Sequence, residues 1–198
     1  MKPTNTIILI LIFALCSIYA KSQETDIFEN KYLIVLDMQE DYIVGKIPDS
    51  VANEFVENVN RIISKVDTNR IVYVKTEMIV ASLSFKGVSV DTIADLEFCK
   101  KLKIVNNNIF IKEGGNAFAN NDLADFFMDK NTSDIIIIGL LAEKCVSHTA
   151  NGGLELGHNI YIIPSAILGK KERTKNKSIK KLINNGAKVI TLNDLENR

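Results

Sequence analysis

Three residues in this chain have the types and the placement for covalent chemistry: Asp37, Lys112 and Cys145. Asp37 ends the apolar run Lys31–Asp37, and Lys112 ends the run Asn108–Lys112. Cys145 follows the run Asp134–Gly139, just inside a predicted helix from Ala142. A thiol at that point faces the positive end of a helix dipole, which favours the thiolate. Lys112 would add a positive charge, and Asp37 could take the thiol proton. A nucleophile, a base and a cation suit covalent acyl transfer. Taken singly, each residue also has a plainer role: a packed cysteine, a turn aspartate, a solvated lysine. Their common position at the ends of apolar strands is what groups them, because open α/β sheets bind ligands at the carboxyl ends of their strands.

The elements that must position these residues follow from periodicity. Short β-branched runs predict strands at 31–37, 70–74, 108–112, 134–139, 159–163 and 187–191. Between them, Ser50–Val66 places Val51, Phe55, Val59, Ile62, Ile63 and Val66 at helical spacing, with Asp49 and Ser50 as cap candidates. Asn120 or Asn121 caps a second helix with Leu123, Phe126 and Phe127 on one face. Ala142–Leu156 reads as a third, stopped by Gly157. Glu172–Asn184 is a basic fourth, with Ile179, Leu182 and Ile183 inward and Gly186 after it. Met78–Asn107 predicts a loop with a short helix near Asp91–Lys101. Strands alternating with helices imply a parallel sheet covered on both faces.

Composition narrows the function classes. The 198 residues are 46% hydrophobic and 24% charged, which is globular composition, in one domain plus an appendage. Lys+Arg and Asp+Glu are 24 each, so a nucleic-acid partner held by phosphate neutralisation is not expected. Residues 1–22 read as a secretory signal: Lys2 is the positive start, and Ile7–Ala20 is an apolar run shorter than the about 20 residues of a spanning helix. Cleavage after Ser22 or Ala20 leaves the domain 23–198, exported to a periplasmic or extracellular space, with no stable membrane association. A retained anchor and a lipoprotein at Cys16 are the other readings; Leu15 stands where a lipobox has a small residue. Cleavage after Ser22 leaves 22 basic and 24 acidic residues, a net charge of −2, and two cysteines, Cys99 and Cys145.

Three segments carry a family resemblance. Leu36-Asp37-Met38-Gln39-Glu40-Asp41-Tyr42 resembles the D-M-Q-x-D-F/Y opening of the isochorismatase-like cysteine hydrolases, the nicotinamidase and N-carbamoylsarcosine amidase superfamily. Lys112-Glu113-Gly114-Gly115-Asn116-Ala117-Phe118 is similar to their K-x-x-x-S-A-F segment. Gly139 to Ala150 is similar to G-x-x-T-D/E-x-C-V-x-x-T-A. The segments keep the family's order and spacing, and the resemblance covers about residues 31–192.

The resemblance implies a three-layer α/β/α sandwich around a six-stranded, mostly parallel, Rossmann-like sheet. It implies an amidohydrolase acting on C–N bonds other than peptide bonds, cleaving a small amide, ureido or carbamoyl compound through a thioester on Cys145. Asp37 would be the base and Lys112 the group that holds the charged pair. The family's cis peptide would fall at Leu140–Leu141, with the backbone N–H groups of Leu141 and Cys145 as the oxyanion hole. No cofactor is implied, and a homo-oligomer is a possibility the family raises.

The departures are specific. Asn116 replaces Ser, Ala142 replaces Thr, Gly152 stands where Asp is common, and Ser165 replaces a later Asp. Gly152 and Gly153 each weaken a helix by roughly 1 kcal/mol relative to Ala. Nicotinamidases of this superfamily hold a metal through an Asp and two His after the second strand. Here that stretch is Lys75-Thr76-Glu77-Met78-Ile79-Val80, and the two histidines are His148 and His158. No metal is therefore expected. His148 reads as a helix-surface residue or a second acid–base group, and His158 as structural. Cys99 reads as packed, with pairing to Cys145 as the oxidised alternative. Two other functions compete: a degenerate member that only binds a small ligand, and a thiol redox protein, which the absence of C-x-x-C disfavours.

Overall fold

The computed structural model describes residues 27–84, 87–93, 97–130, 132–191 and 194. The predicted signal segment 1–22 lies outside them. β1 (Tyr32–Leu36) leads into a single helical turn, α1 (Glu40–Ile43), and then α2 (Asp49–Ile63). β2 (Ile71–Thr76) precedes an antiparallel pair, β3 (Met78–Ser84) and β4 (Gly87–Ile93). β5 (Ile109–Lys112), α3 (Asn121–Asp129) and β6 (Asp134–Leu140) follow. The last elements are α4 (Ser147–Glu155), β7 (Asn159–Leu168), α5 (Glu172–Asn184) and β8 (Lys188–Val189).

Six strands form one sheet in the order β5-β2-β1-β6-β7-β8, every neighbouring pair parallel. All five residues of β1 are buried, as a central strand covered on both faces requires. Side chains alternate across it. Leu33 and Val35 join Phe55, Val59, Ile62 and Ile63 of α2 on one face. Ile34 and Leu36 join Leu123 and Phe127 of α3, Ala150 of α4, and Ile179 and Leu182 of α5 on the other. Two apolar layers separated by one sheet make the α/β/α sandwich. Ile135–Ile138 of β6 are fully buried, and each such side chain contributes about 1.5–3 kcal/mol relative to exposure.

Several elements differ from the pattern-based expectation. The predicted short helix near Asp91–Lys101 is absent among the described residues; the end of β4 occupies the start of that stretch, and Phe98 bridges to Gln39. Val88, Val90 and Thr92 alternate with other residues, so period-2 pairing prevails over a helix at the start of that stretch. α2 begins at Asp49 after Pro48, with no side-chain cap from Asp49 or Ser50, and ends before Val66. Val51 and Ile183 point outward, at 42% and 44% exposure, because each sits at the margin of its helix's apolar stripe.

β7 runs past the expected Ile163 to Leu168. Its pairing with β6 lapses after Ile162 and resumes at Ile167. Pro164, which has no N–H to donate, lies in that gap. β8 is shorter than 187–191. The predicted helix from Ala142 is broken: Ala142–Val146 is a π-type turn with Lys144 at φ −130°, ψ −106°, and regular helix begins only at Ser147.

Candidate active site

The parallel register brings the strand ends together. Gly139 pairs with Leu36, and Lys112 pairs with Thr76. Gly139 has φ 118°, and a Cβ there would stand 2.1 Å from the Leu36 carbonyl oxygen. Only glycine allows this approach of β6 to β1, at the point where Asp37 leaves one strand and the Cys145 turn leaves the other. Asp37 itself has φ 54°, a left-handed conformation that costs an L-residue about 1–2 kcal/mol. Its N–H donates to Val74 O at 2.8 Å, and its carbonyl accepts from Gln39 N at 2.7 Å.

Asp37, Lys112 and Cys145 converge. Lys112 Nζ lies 3.1 Å from Asp37 Oδ2 and donates to Cys145 Sγ at 3.3 Å and to Gly114 O at 3.0 Å. Both charged residues are 2% exposed. Removing one member of such a buried pair would strand the other charge, at a cost of about 3–5 kcal/mol. Burial, followed by the Asp37 carboxylate, pushes the Cys145 thiol up to about 11, against the pull of Lys112. The expected thiolate-favouring helix dipole does not prevail. Cys145 sits in the irregular turn before α4 and is half-buried beside a carboxylate that already uses the same ammonium. The resting arrangement is a neutral thiol next to a base.

Two residues of the site have no role in the sequence-based expectation. The Thr76 hydroxyl donates to Asp37 Oδ1 at 2.7 Å and accepts from Lys112 Nζ. The fully buried Gln39 clamps the Thr76 backbone, accepting from its N–H at 2.9 Å and donating to its carbonyl at 3.0 Å. Gln39 lies within the D-M-Q segment, and Thr76 ends a strand just as Asp37 and Lys112 do; both signals were available. The pattern-based strand 70–74 stops at Val74, whereas β2 runs on to Thr76.

A cavity of about 480 Å³ opens over Cys145, Asp37 and Thr76, with Tyr42, Leu141 and Leu168 in its walls. The Leu140–Leu141 peptide bond is cis. Burial, with the Asp37 carboxylate, raises the Tyr42 phenol. The histidines lie elsewhere: His148 is exposed beside Gly115, and His158 stacks on Phe118 at 5.4 Å between ring centres. Cys99 is buried on the α2 side, and Cys99 and Cys145 are both free thiols.

Two departures from the family pattern prove to be neighbours. A Cβ on Gly152 would stand 2.4 Å from Asn116 Nδ2, so the longer Asn116 side chain takes the space that Gly152 leaves. A Cβ on Gly153 would meet Ile160 Cδ1 at 2.7 Å and Phe118 Cε2 at 2.9 Å. The paired glycines that cost helix propensity thus let α4 pack closely.

A buried Asp-Lys-Cys cluster thus lies at the carboxyl ends of the parallel sheet of a three-layer α/β/α sandwich. The family profile of the Isochorismatase domain matches residues 31–194, and the chain belongs to that family. No curated protein sequence matches it. Among solved structures, the pyrazinamidase of Pyrococcus horikoshii in complex with zinc is similar: 22% identity, TM-score 0.64, covering 82% of this chain and 99% of that one. An isochorismatase-like hydrolase from Alkaliphilus metalliredigens has 17% identity and TM-score 0.65, covering 83% and 96%. The octameric YcaC hydrolase of Escherichia coli, of unknown specificity, has 18% identity and TM-score 0.61, covering 85% and 78%. At these identities the likeness establishes the fold.

The zinc in the first of these relatives raises the question of a metal here. Among the described residues no group of three or more His, Cys, Asp or Glu side chains gathers. Thr76 ends β2, its hydroxyl committed to Asp37 and Lys112.

Proposed function

We propose that this protein is a cysteine amidohydrolase acting on C–N bonds other than peptide bonds, with a small amide, ureido or carbamoyl substrate. One observation carries the reading: a single buried ammonium, Lys112 Nζ, touches both a carboxylate and a thiol at the floor of an open cavity. Family membership supports it, as does the hydrolase activity of the structural relatives.

In this reading Asp37 takes the Cys145 proton as Sγ attacks the carbonyl carbon. The negative charge that leaves Asp37 arises on the carbonyl oxygen, where the N–H groups of Leu141 and Cys145 would receive it. Collapse breaks the C–N bond, and the proton on Asp37 passes to the departing amine. Water then attacks the thioester, with Asp37 again the base, releasing the acid and restoring the thiol. Lys112 remains charged throughout and offsets whichever of Asp37 and Cys145 is negative. Export to a periplasmic or extracellular space belongs to the same proposal, on the strength of residues 1–22. Homo-oligomer formation belongs to it too, on the precedent of the octameric relative.

The test is turnover of a panel of small amides by the protein and by its Cys145→Ala variant. Turnover should fall roughly 10³-fold or more in the variant, with an unchanged circular dichroism spectrum, and the parent should show an acyl adduct on Cys145 by mass spectrometry. Equal turnover by both proteins would overturn the proposal.

A further inference from the structure

The rim of the cavity carries a net positive charge. Lys46, in the turn after α1, Lys144, in the turn that carries Cys145, and Lys170, between β7 and α5, all line it. They come from three separate segments of a chain whose net charge is zero. Asp41 is the one acidic residue that shares the rim; the other carboxylate, Asp37, is already paired with Lys112. None of the three rim ammonium groups has an ion-pair or hydrogen-bond partner among the described residues. The Lys170 segment is held in place, because Glu143 Oε1 accepts from Lys170 N at 2.8 Å and from Thr174 Oγ1 at 3.0 Å. The walls between rim and floor are largely apolar, formed by Ile47, Leu140, Leu141 and Leu168. Low-dielectric walls below a net-positive rim focus the field into a cleft.

We infer that the cavity selects an anionic amide: a small molecule whose amide carbon meets Cys145 and whose carboxylate meets Lys46, Lys144 and Lys170. The inference rests on the hydrolase reading for the placement of the amide, and the rim charge adds the substrate class. A neutral amide of the same size would fill the apolar walls but leave three cations unanswered.

Succinamate and succinamide form a matched pair, differing in one carboxylate. Their binding is measured by calorimetry on the Cys145→Ala protein, which reads charge preference without turnover, and their hydrolysis on the parent. Succinamate should bind roughly ten-fold tighter or more, the ratio that three exposed ion contacts supply. The preference should shrink in 0.5 M salt and collapse in the triple variant Lys46→Gln, Lys144→Gln, Lys170→Gln, whose exposed positions leave the core untouched. Equal affinities, no measurable binding of either compound, or a preference that survives the triple substitution would overturn the inference. Preferential binding of succinamate with no hydrolysis by the parent would support the anion site and count against the hydrolase reading.

Discussion

The hydroxyl of Thr76 joins the two charged residues of the site, donating to Asp37 Oδ1 at 2.7 Å and accepting from Lys112 Nζ. It fixes one oxygen of the carboxylate. Oδ1 is held by Thr76, while Oδ2 faces Lys112. A base that must take and return one proton benefits from such fixed geometry, because misplacement of a reacting group is costly.

Thr76→Val keeps the shape and removes the link. A hydrogen bond to a charged group is worth about 1.5–3 kcal/mol, so kcat should fall about 10- to 100-fold with a smaller change in KM. Thr76→Ser should restore most of the rate. Steady-state kinetics on the three proteins, with thermal melts alongside, decide the matter; a wild-type kcat in Thr76→Val would show that the link is dispensable. Gln39→Ala should act on the same position from behind, leaving the Thr76 N–H and carbonyl without their partner.

Cys145 should react slowly with iodoacetamide at pH 7 to 8, because burial and Asp37 hold its proton up to about 11. Asp37→Asn removes the carboxylate and leaves Lys112, so the thiol should become more acidic. Alkylation at pH 8 should speed up while amide turnover is lost. Unfolding would also expose the thiol and abolish turnover, so an unchanged circular dichroism spectrum and an alkylation rate below that of the urea-unfolded protein are required of Asp37→Asn. Mass-spectrometric alkylation rates between pH 6 and 11 test it, and a slower reaction in Asp37→Asn would contradict the electrostatic account. The stability linkage has a definite sign. The folded thiol keeps its proton to a higher pH than its ordinary value of 9.0, so this contribution is full below pH 9 and fades as pH rises towards 11.

Asn116 and Gly152 should behave as one unit. Gly152→Ala gains roughly 1 kcal/mol of helix propensity. It also drives a Cβ into an amide pinned by the Phe118 N–H, which donates to Asn116 Oδ1 at 3.0 Å. Overpacking of this kind costs about 1–3 kcal/mol, so the variant should melt lower. Asn116→Ser should relieve it, and Gly152→Asp should be tolerated better with Asn116→Ser than alone. Denaturant unfolding of the four proteins of that cycle should show a coupling of about 1 kcal/mol or more. Additive effects would mean that the two departures are independent.

Local pattern carries much of this protein. The run 31–37 reads as a strand buried on both faces because every residue of Tyr32–Leu36 is apolar. Asp37, Lys112 and Cys145 can be picked out because each closes or follows such a run, where a polar residue has no place in the core. The Asn120 cap and the stop at Gly157 are equally local: the Asn120 side chain accepts from Leu123 N at 2.9 Å, and Gly157 has φ 85°. Tertiary structure alone decides which distant residues meet. Parallel register sets Thr76 beside Lys112 and Asp37, and helix packing sets Asn116 against Gly152. Three lysines from unrelated segments share one rim. The turn at Cys145 departs from helix despite its helical spacing, and its thiol is governed by a buried carboxylate rather than by the helix that follows. Periodicity encodes which face of an element is buried. It does not encode what stands opposite that face, because that depends on strand order and register, which bring together residues far apart in the chain.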